Sequence, residues 1–363
     1  MAKRVQDPRI ERAAQSVNEE LLERAILHAH FIQRYKSGQV REVVGFLNVS
    51  VIPDLLEQID VELSRLLRSE GSTSLKLRRL ERSLAIFNET MRSGMQIVHG
   101  TYLDELKLFS RTEVEWQAKL LKDILRPVNY KPSLPSPKML QSSTVDRAMH
   151  GRFLDEWFED LTVSHQKRLS QQLRIGMAEG ESLRDLTRRV EAKGGVLDQT
   201  RKETETVART TIAEVANGAR ESLYEENRQI IEEVLFVATL DSRTTITCAS
   251  LDGQTFKVGE GPRPPLHYNC RSVTVPIVKS WDKLGIKGLK ELPPLQRASM
   301  NGIVPGTLTY EKWLRKQSRE MQEVVLGKER ARLFRKGMRI ESFVDDQHRP
   351  LTLSQLRTQE GLK

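Results

Sequence analysis

Apolar residues in the first 126 positions recur at spacings of three and four residues, and this pattern limits the fold more than any other feature of the sequence. Residues spaced in this way lie on one face of an α-helix. Two of the runs are Leu21, Leu22, Ala25, Ile26 and Ala29, and Leu55, Leu56, Ile59, Leu63, Leu66 and Leu67. The pattern predicts a mainly α-helical N-terminal region over residues 1–126.

Several positions divide this helical region. Pro53 fits the first turn of a helix, where its missing amide proton has no bond to make. Residues 71–74 interrupt the periodicity, and further apolar runs begin at Leu77 and at Leu103. We expect the helices to pack on one another through their apolar stripes or to line a subunit interface.

A proline- and serine-rich stretch follows the helical region. Residues 126–146 contain four prolines and four serines. Proline removes a backbone donor and disfavours helix in the residue before it. The composition therefore predicts an extended linker over residues 127–146 and a domain boundary there.

The chain beyond the linker changes from helical to strand-like patterning. Helical spacing resumes after residue 152, and Ser182 is a predicted helix N-cap with Asp185 three residues later. Runs with the apolar and β-branched content of strands then occur at residues 233–240, 255–258 and 272–277. Asp252-Gly253 predicts a hairpin turn, because glycine accepts a positive φ. Residues 147–280 are thus predicted to form a helical layer with a small antiparallel sheet.

Residues 281–363 form a basic C-terminal tail with predicted helices. They hold 17 Lys and Arg against 10 Asp and Glu, a difference of +7 within a net charge of +9 for the chain. One helix is predicted over 309–327, with Thr309 as its N-cap and Gly327 at its end, and a second over 328–337. The charge favours an anionic partner, double-stranded DNA first, and the alternative is a solvated helix face. The fold class is α+β.

Several classes of protein are excluded by what the sequence lacks. No run of 18 apolar residues occurs, so no membrane span is predicted, and the first residues contain no apolar signal segment. Two cysteines in 363 residues do not make a disulfide framework, and we expect synthesis and assembly in the cytoplasm. The phosphate-binding patterns GxxxxGK[ST] and GxGxxG are absent.

Both cysteines lie in one turn-rich segment, together with a histidine. Cys248 and Cys270 are the pair, and His267 precedes the second by three residues. Thiolates and a neutral imidazole bind zinc, with Asp241 or Asp252 as a possible fourth ligand. Alternatively the cysteines are small buried hydrophobic residues, a Cys-His nucleophilic pair, or partners in a disulfide formed after release from the cell.

Residues 207–276 resemble the phage Mu F-like family of minor head proteins, also called head morphogenesis proteins. The resemblance depends on an ordered series of short motifs. These are Ala208-Arg209-Thr210, Asn217, Asp241, Arg243-Thr244, Cys248, Leu251-Asp252-Gly253, Pro264-Pro265, His267 and Asn269-Cys270-Arg271. Thr211 and Ser272 depart from the family pattern, which would place an acidic residue at the first position and often a further cysteine at the second.

The resemblance implies a virion protein that acts in head morphogenesis and is not an enzyme. It would lie in the capsid interior or at the portal vertex, and its partners would be the portal protein, the scaffold or major capsid protein, and double-stranded DNA. Roles in genome packaging or DNA ejection follow as expectations. The alternative is a zinc- or thiol-dependent hydrolase carried in the virion, centred on Cys248, His267 and Cys270.

Overall fold

The computed structural model describes residues 8–279 and 296–359, which pack into two compact units. One unit contains Ser110–Thr144 together with the described residues up to Gln33 and from Ala213 onward. The other contains Arg34–Phe109 and Val145–Ile212. The units interleave along the chain, whereas the division expected from the sequence was sequential.

The N-terminal region is helical, as predicted. Its helices are α1 (Pro8–Phe46), α2 (Ile52–Arg68) and α3 (Thr73–Ile124), with a π-helical turn at Leu47–Val51. Pro53 lies in the first turn of α2, and the chain breaks between α2 and α3 at the expected place. The runs that begin at Leu77 and Leu103 belong to one helix of 52 residues.

The predicted linker is only partly extended. Residues 129–136 are extended or turn, but α4 (Pro137–Thr144) is a helix, so the extended prediction is wrong there. Proline is tolerated at the first position of a helix, and Leu140 and Thr144 are buried. The side-chain oxygen of Asn227 accepts from the Tyr130 hydroxyl at 2.6 Å, which fixes the extended part to the end of a long helix.

The helical layer and sheet agree with the predicted α+β class. The helices are α5 (Leu154–Glu179), α6 (Leu183–Glu191), α7 (Val196–Glu226) and the short α8 (Ile246–Leu251). The strands are β1 (Ile231–Val237), β2 (Thr255–Lys257) and β3 (Val273–Val278), in the antiparallel order β2-β1-β3. Ser182 caps α6 as predicted, through the amide of Asp185.

The central strand β1 packs against helices in the hydrophobic core. Val234 pairs with Phe256 on one side and with Pro276 on the other. Val234 and Val275 are buried with residues of α1, α3 and α7, among them Leu21, Val114, Leu121, Ala219 and Leu223. The sheet is therefore held by helices from the same unit.

Asp252-Gly253 does not join two strands, so the predicted hairpin is wrong. The pair follows α8 and leads into β2, although Gly253 does have the expected positive φ of 87°. The Gly253 amide donates to the Phe236 carbonyl at 2.9 Å. The turn therefore docks on the end of β1 instead of reversing one strand into its neighbour.

The described C-terminal residues pack against α8. They form β4 (Gln296–Ser299), β5 (Gly302–Pro305), α9 (Tyr310–Arg315), α10 (Arg319–Leu326), α11 (Lys328–Arg335) and α12 (Leu353–Gln359). Tyr310, Trp313 and Phe334 share a core with Leu240 and Ala249.

The single helix predicted over 309–327 is two helices. Ser318 interrupts it, because its hydroxyl accepts from the Met321 amide at 3.2 Å and caps α10. Thr309 caps α9 and Gly327 ends α10, as predicted. None of the helices in the described ranges is long and apolar enough to cross a membrane.

Candidate functional site

Helix α8 and the loop between β2 and β3 bring the two cysteines and the histidine together. Thr245 caps α8, and its hydroxyl accepts from the Cys248 amide at 3.4 Å. The Cys270 amide donates to the His267 carbonyl at 3.1 Å, with Asn269 at a positive φ of 59°. One tight turn therefore presents His267 and Cys270 to the helix that carries Cys248.

The three side chains form a close group. The Cys248 sulfur lies 3.7 Å from the Cys270 sulfur and 3.3 Å from Nε2 of His267. Both cysteines are buried, with 1% of their surface exposed, and His267 is partly buried. Nδ1 of His267 lies 2.9 Å from the Tyr268 carbonyl. Because a carbonyl only accepts, Nδ1 carries a proton and the neutral ring turns the lone pair of Nε2 towards the sulfurs.

The two thiols divide one negative charge unequally. A hydrogen bond from the Cys248 thiol, followed by the effect of His267, holds the pKa of Cys270 well below its usual value. The Cys270 thiolate and burial in turn raise the pKa of Cys248. The same Cys270 sulfur raises the pKa of His267. The group therefore favours one thiolate, on Cys270, beside an imidazole that readily takes up a proton.

The two aspartates considered as fourth ligands are engaged elsewhere. Asp241 pairs with the guanidinium of Arg271 through both carboxylate oxygens, one at 2.7 Å. Burial raises the pKa of Asp241, but the hydrogen bonds and charge of Arg271 outweigh it and leave the pKa below its usual value. Arg243 is a secondary partner, with its side chain 3.7 Å from Asp241.

Asp252 connects three parts of the chain. One oxygen of its carboxylate accepts from the Ala238 amide at 2.7 Å, and the other accepts from the Tyr310 amide at 2.7 Å. These bonds tie the end of β1 and the start of α9 to the turn after α8. Asp252 is therefore a structural residue of this turn.

Residues 167–275 match the family model described as Phage Mu protein F like protein. The matched range contains Asp241, Cys248, Asp252, His267 and Cys270, and it overlaps nearly all of the range whose motifs resemble the family. The chain contains a Mu F-like domain. The match supports a phage head morphogenesis protein located in the virion. Neither a curated protein nor a solved structure matches the chain.

The Mu F-like motif residues on α7 contact their own helix. Arg209 pairs with Glu205 at 2.7 Å, and the Thr210 hydroxyl donates to the Thr206 carbonyl at 2.8 Å. Asn217 donates to the Ala213 carbonyl at 2.9 Å. None of these α7 motif residues belongs to the Cys-His group.

The Mu F-like loop residues have separate backbone roles. The Pro264-Pro265 bond is cis, both prolines are buried, and Arg263 pairs with Glu221 at 2.9 Å. Ser272, which departs from the family pattern, is buried, and its hydroxyl acts to lower the pKa of the Cys248 thiol.

A buried ionic network next to the sheet was not predicted from the sequence. Glu113 accepts from Arg220 at 2.7 Å and lies 2.6 Å from His28, and Trp116 stacks on the His28 ring at 3.5 Å. The only signal in the sequence is that Glu113 falls on the apolar stripe of α3, between Phe109 and Trp116.

Proposed function

We propose that this protein is a minor head protein that acts in head morphogenesis near the portal vertex. The match of residues 167–275 to the Mu F-like family carries the proposal. The long helices α1, α3 and α7 suit a protein that is built into a particle, because they offer extended surfaces to partners. No nucleotide-binding motif competes with this interpretation.

The N-terminal helices supply the contact with the portal, or with the scaffold or major capsid protein. Leu27 and Phe31 support this part of the proposal. They lie one turn apart on α1, and 61% and 56% of their surfaces are exposed. Apolar side chains that neighbour each other at a surface are typical of protein interfaces.

A phage that carries Leu27→Ser and Phe31→Ser tests this contact. We expect fewer copies of the protein per particle, measured by mass spectrometry of purified procapsids, because the double substitution removes the apolar anchor. Val324→Ser is the matched control, since Val324 is 71% exposed but lies on α10. Wild-type incorporation of the double variant would remove α1 from the proposed interface.

The C-terminal helices supply the contact with double-stranded DNA. Most exposed arginines there are paired with neighbouring carboxylates, among them Arg315, Arg319, Arg332 and Arg335. Four lysines are exposed and form no ion pair with the described residues: Lys312, Lys316, Lys328 and Lys336. These unpaired cations are the groups free to neutralise phosphates.

Replacing those four lysines by glutamine tests the DNA contact without disturbing the packed core. We expect weaker duplex binding and a shallower salt dependence, with the slope reduced by about 0.9 for each phosphate that the variant no longer neutralises. The control replaces Lys119, Lys122, Lys131 and Lys138, which are also exposed and in no ion pair with described residues. Equal binding by both variants would contradict a C-terminal DNA site.

Packaging and DNA delivery are the two stages at which such a protein could act. Particles made by a phage that lacks the protein would distinguish between these two stages. Heads without DNA would place the function in packaging, whereas filled heads that attach but deliver no genome would place it in delivery. Normal yield of infectious particles would contradict both roles.

A thiol- or zinc-dependent hydrolase is the second candidate, favoured by the 3.3 Å approach of Cys248 to His267. Burial argues against it, because a cell-envelope substrate would have to reach cysteine residues that are 1% exposed. A phage with Cys248→Ser decides between the two: the hydrolase requires loss of envelope-degrading activity in the particles.

A further inference from the structure

We propose that Cys248, His267 and Cys270 form a zinc site that ties α8 to the loop before β3. The proposal depends on the arrangement of these side chains and not on a role in the phage head. Two thiolates and a neutral imidazole are a ligand set that zinc prefers. Calcium and magnesium are disfavoured, because they bind oxygen ligands.

The distances match tetrahedral coordination. Zinc bonds of about 2.3 Å to sulfur and about 2.0 Å to nitrogen place two sulfurs about 3.8 Å apart, and a sulfur and a nitrogen about 3.5 Å apart. The sulfurs of Cys248 and Cys270 are 3.7 Å apart, and Cys248 lies 3.3 Å from Nε2 of His267. All three ligand atoms lie within 4.8 Å of one another, so little movement is needed to bind an ion.

The surroundings of His267 are those of a metal ligand. Its Nδ1 donates to the Tyr268 carbonyl at 2.9 Å, which fixes the ring and leaves Nε2 as the coordinating atom. Arg271 follows Cys270 directly, but its guanidinium is held by Asp241. That pairing balances the positive charge of Arg271 with a carboxylate.

Water would be the fourth ligand of the proposed zinc ion. Within residues 8–279 and 296–359, no further histidine, cysteine or carboxylate joins the group. Asp241 and Asp252 are occupied by Arg271 and by backbone amides respectively. Ser272 lies beside Cys248 and is the natural position for an added ligand.

Cobalt binding to the full-length chain, purified under reducing conditions, tests the site. We expect one equivalent of Co²⁺, with the visible bands of tetrahedral cobalt and a thiolate-to-cobalt charge-transfer band in the near ultraviolet. One equivalent of Zn²⁺ should abolish both. Cys248→Ser and Cys270→Ser should lose the charge-transfer band and stoichiometric binding, with folding checked by circular dichroism.

Two further variants make the test independent of folding defects. Ser250→Ala is the matched control, because Ser250 is buried on the same helix and its hydroxyl donates to the Thr247 carbonyl at 2.8 Å. It should bind like the wild type. Ser272→Cys should lower the dissociation constant for zinc and strengthen the charge-transfer band, because a third thiolate joins the ion.

Three outcomes would overturn the proposal. One is a reduced, folded wild-type chain that binds no stoichiometric zinc or cobalt. Another is tetrahedral cobalt bands that survive both cysteine substitutions, which would place the ion elsewhere. The last is a Cys248–Cys270 disulfide that persists in the protein purified under reducing conditions, seen as a mass two hydrogens lower. None of these measurements uses infectivity. A negative result for metal binding would therefore not contradict the proposed role as a head protein.

Discussion

Glu113 is the residue whose environment departs most from what its sequence position indicates. The carboxylate is 1% exposed and is held by Arg220, His28 and Gln117 at 2.6–2.9 Å. Removing one partner of a buried pair leaves the other charge unsolvated and unpaired. The network therefore links α1, α3 and α7 through charge at the centre of an apolar layer.

Glu113→Gln should lower the free energy of unfolding by about 3–5 kcal/mol, because Arg220 is left as an unpaired buried charge. Urea denaturation followed by circular dichroism measures the change. The control is Glu225→Gln, which removes an exposed pair with Arg228 and should cost no more than about 1 kcal/mol. A similar small loss for both variants would show that the Glu113 network does not stabilise the fold.

The same residue makes a pH-dependent contribution. Burial raises the pKa of Glu113, but Arg220 and His28 outweigh it and bring the pKa to about 2 from 4.5. A carboxyl with a depressed pKa stabilises the fold above its unfolded pKa, and that stability disappears as the pH falls towards the folded value. Between pH 4.5 and 2 the wild type should lose stability faster than Glu113→Gln. Parallel stability curves over that window would contradict the assignment.

Residue-level contacts like these could not be predicted, because their partners are distant in the chain. His28 and Arg220 are 85 and 107 residues from Glu113, and no local pattern relates them. Asp252 is a similar case, since its turn chemistry was visible but its bond to the Tyr310 amide, 58 residues away, was not. The convergence of His267 and Cys270 was predictable because both lie in one turn.

At the scale of elements, local patterns predicted the three strands of the central sheet well, but they missed β4 and β5 and placed the ends of helices less well. The β-branched runs became β1, β2 and β3, because each must present apolar side chains to a helical layer. Ser318 was overlooked because the apolar spacing continues across it from Trp313 to Met321. Helix α3 passes close to Val51 at Gly94, where the absence of a side chain leaves room for the contact.

Gly94→Ala should destabilise the protein even though alanine favours helix. A Cβ at this position would lie 2.5 Å from Cγ1 of Val51, a β-branched side chain that cannot easily move aside. We expect a loss of about 1–3 kcal/mol from overpacking, measured as a lower urea midpoint.

Gly100→Ala on the same helix is the control, and it should change the stability of the protein in the opposite direction. Nothing lies within 4 Å of a Cβ there, so the higher helix propensity of alanine should add up to about 1 kcal/mol. Stabilisation by both substitutions would show that Val51 gives way and that the close approach is not required.

At the scale of the whole molecule, the basic C-terminal residues are part of the unit that carries the sheet. Charge and composition marked them as a tail, but Tyr310 donates its hydroxyl to the Asp241 carbonyl at 2.7 Å, and its amide is bound by Asp252. Sequence composition could not predict this, because burial of Tyr310 and Trp313 depends on a surface supplied by α8 and Leu240. The proposed DNA contact therefore lies in a part of the chain that is also packed into the unit with the sheet.

Trp313→Ala tests whether this region and the Mu F-like domain form one cooperative unit. Trp313 is 2% exposed and shares a core with Leu240 and Ala249, so its truncation should cost about 3–5 kcal/mol. Hydrogen exchange should then quicken in α9 and also in α8, because both helices line that core. Val324→Ala, at a position 71% exposed, should leave exchange unchanged. Faster exchange confined to the residues after 296 would mean that the C-terminal helices fold independently of α8, and a deletion could then remove the proposed DNA contact alone.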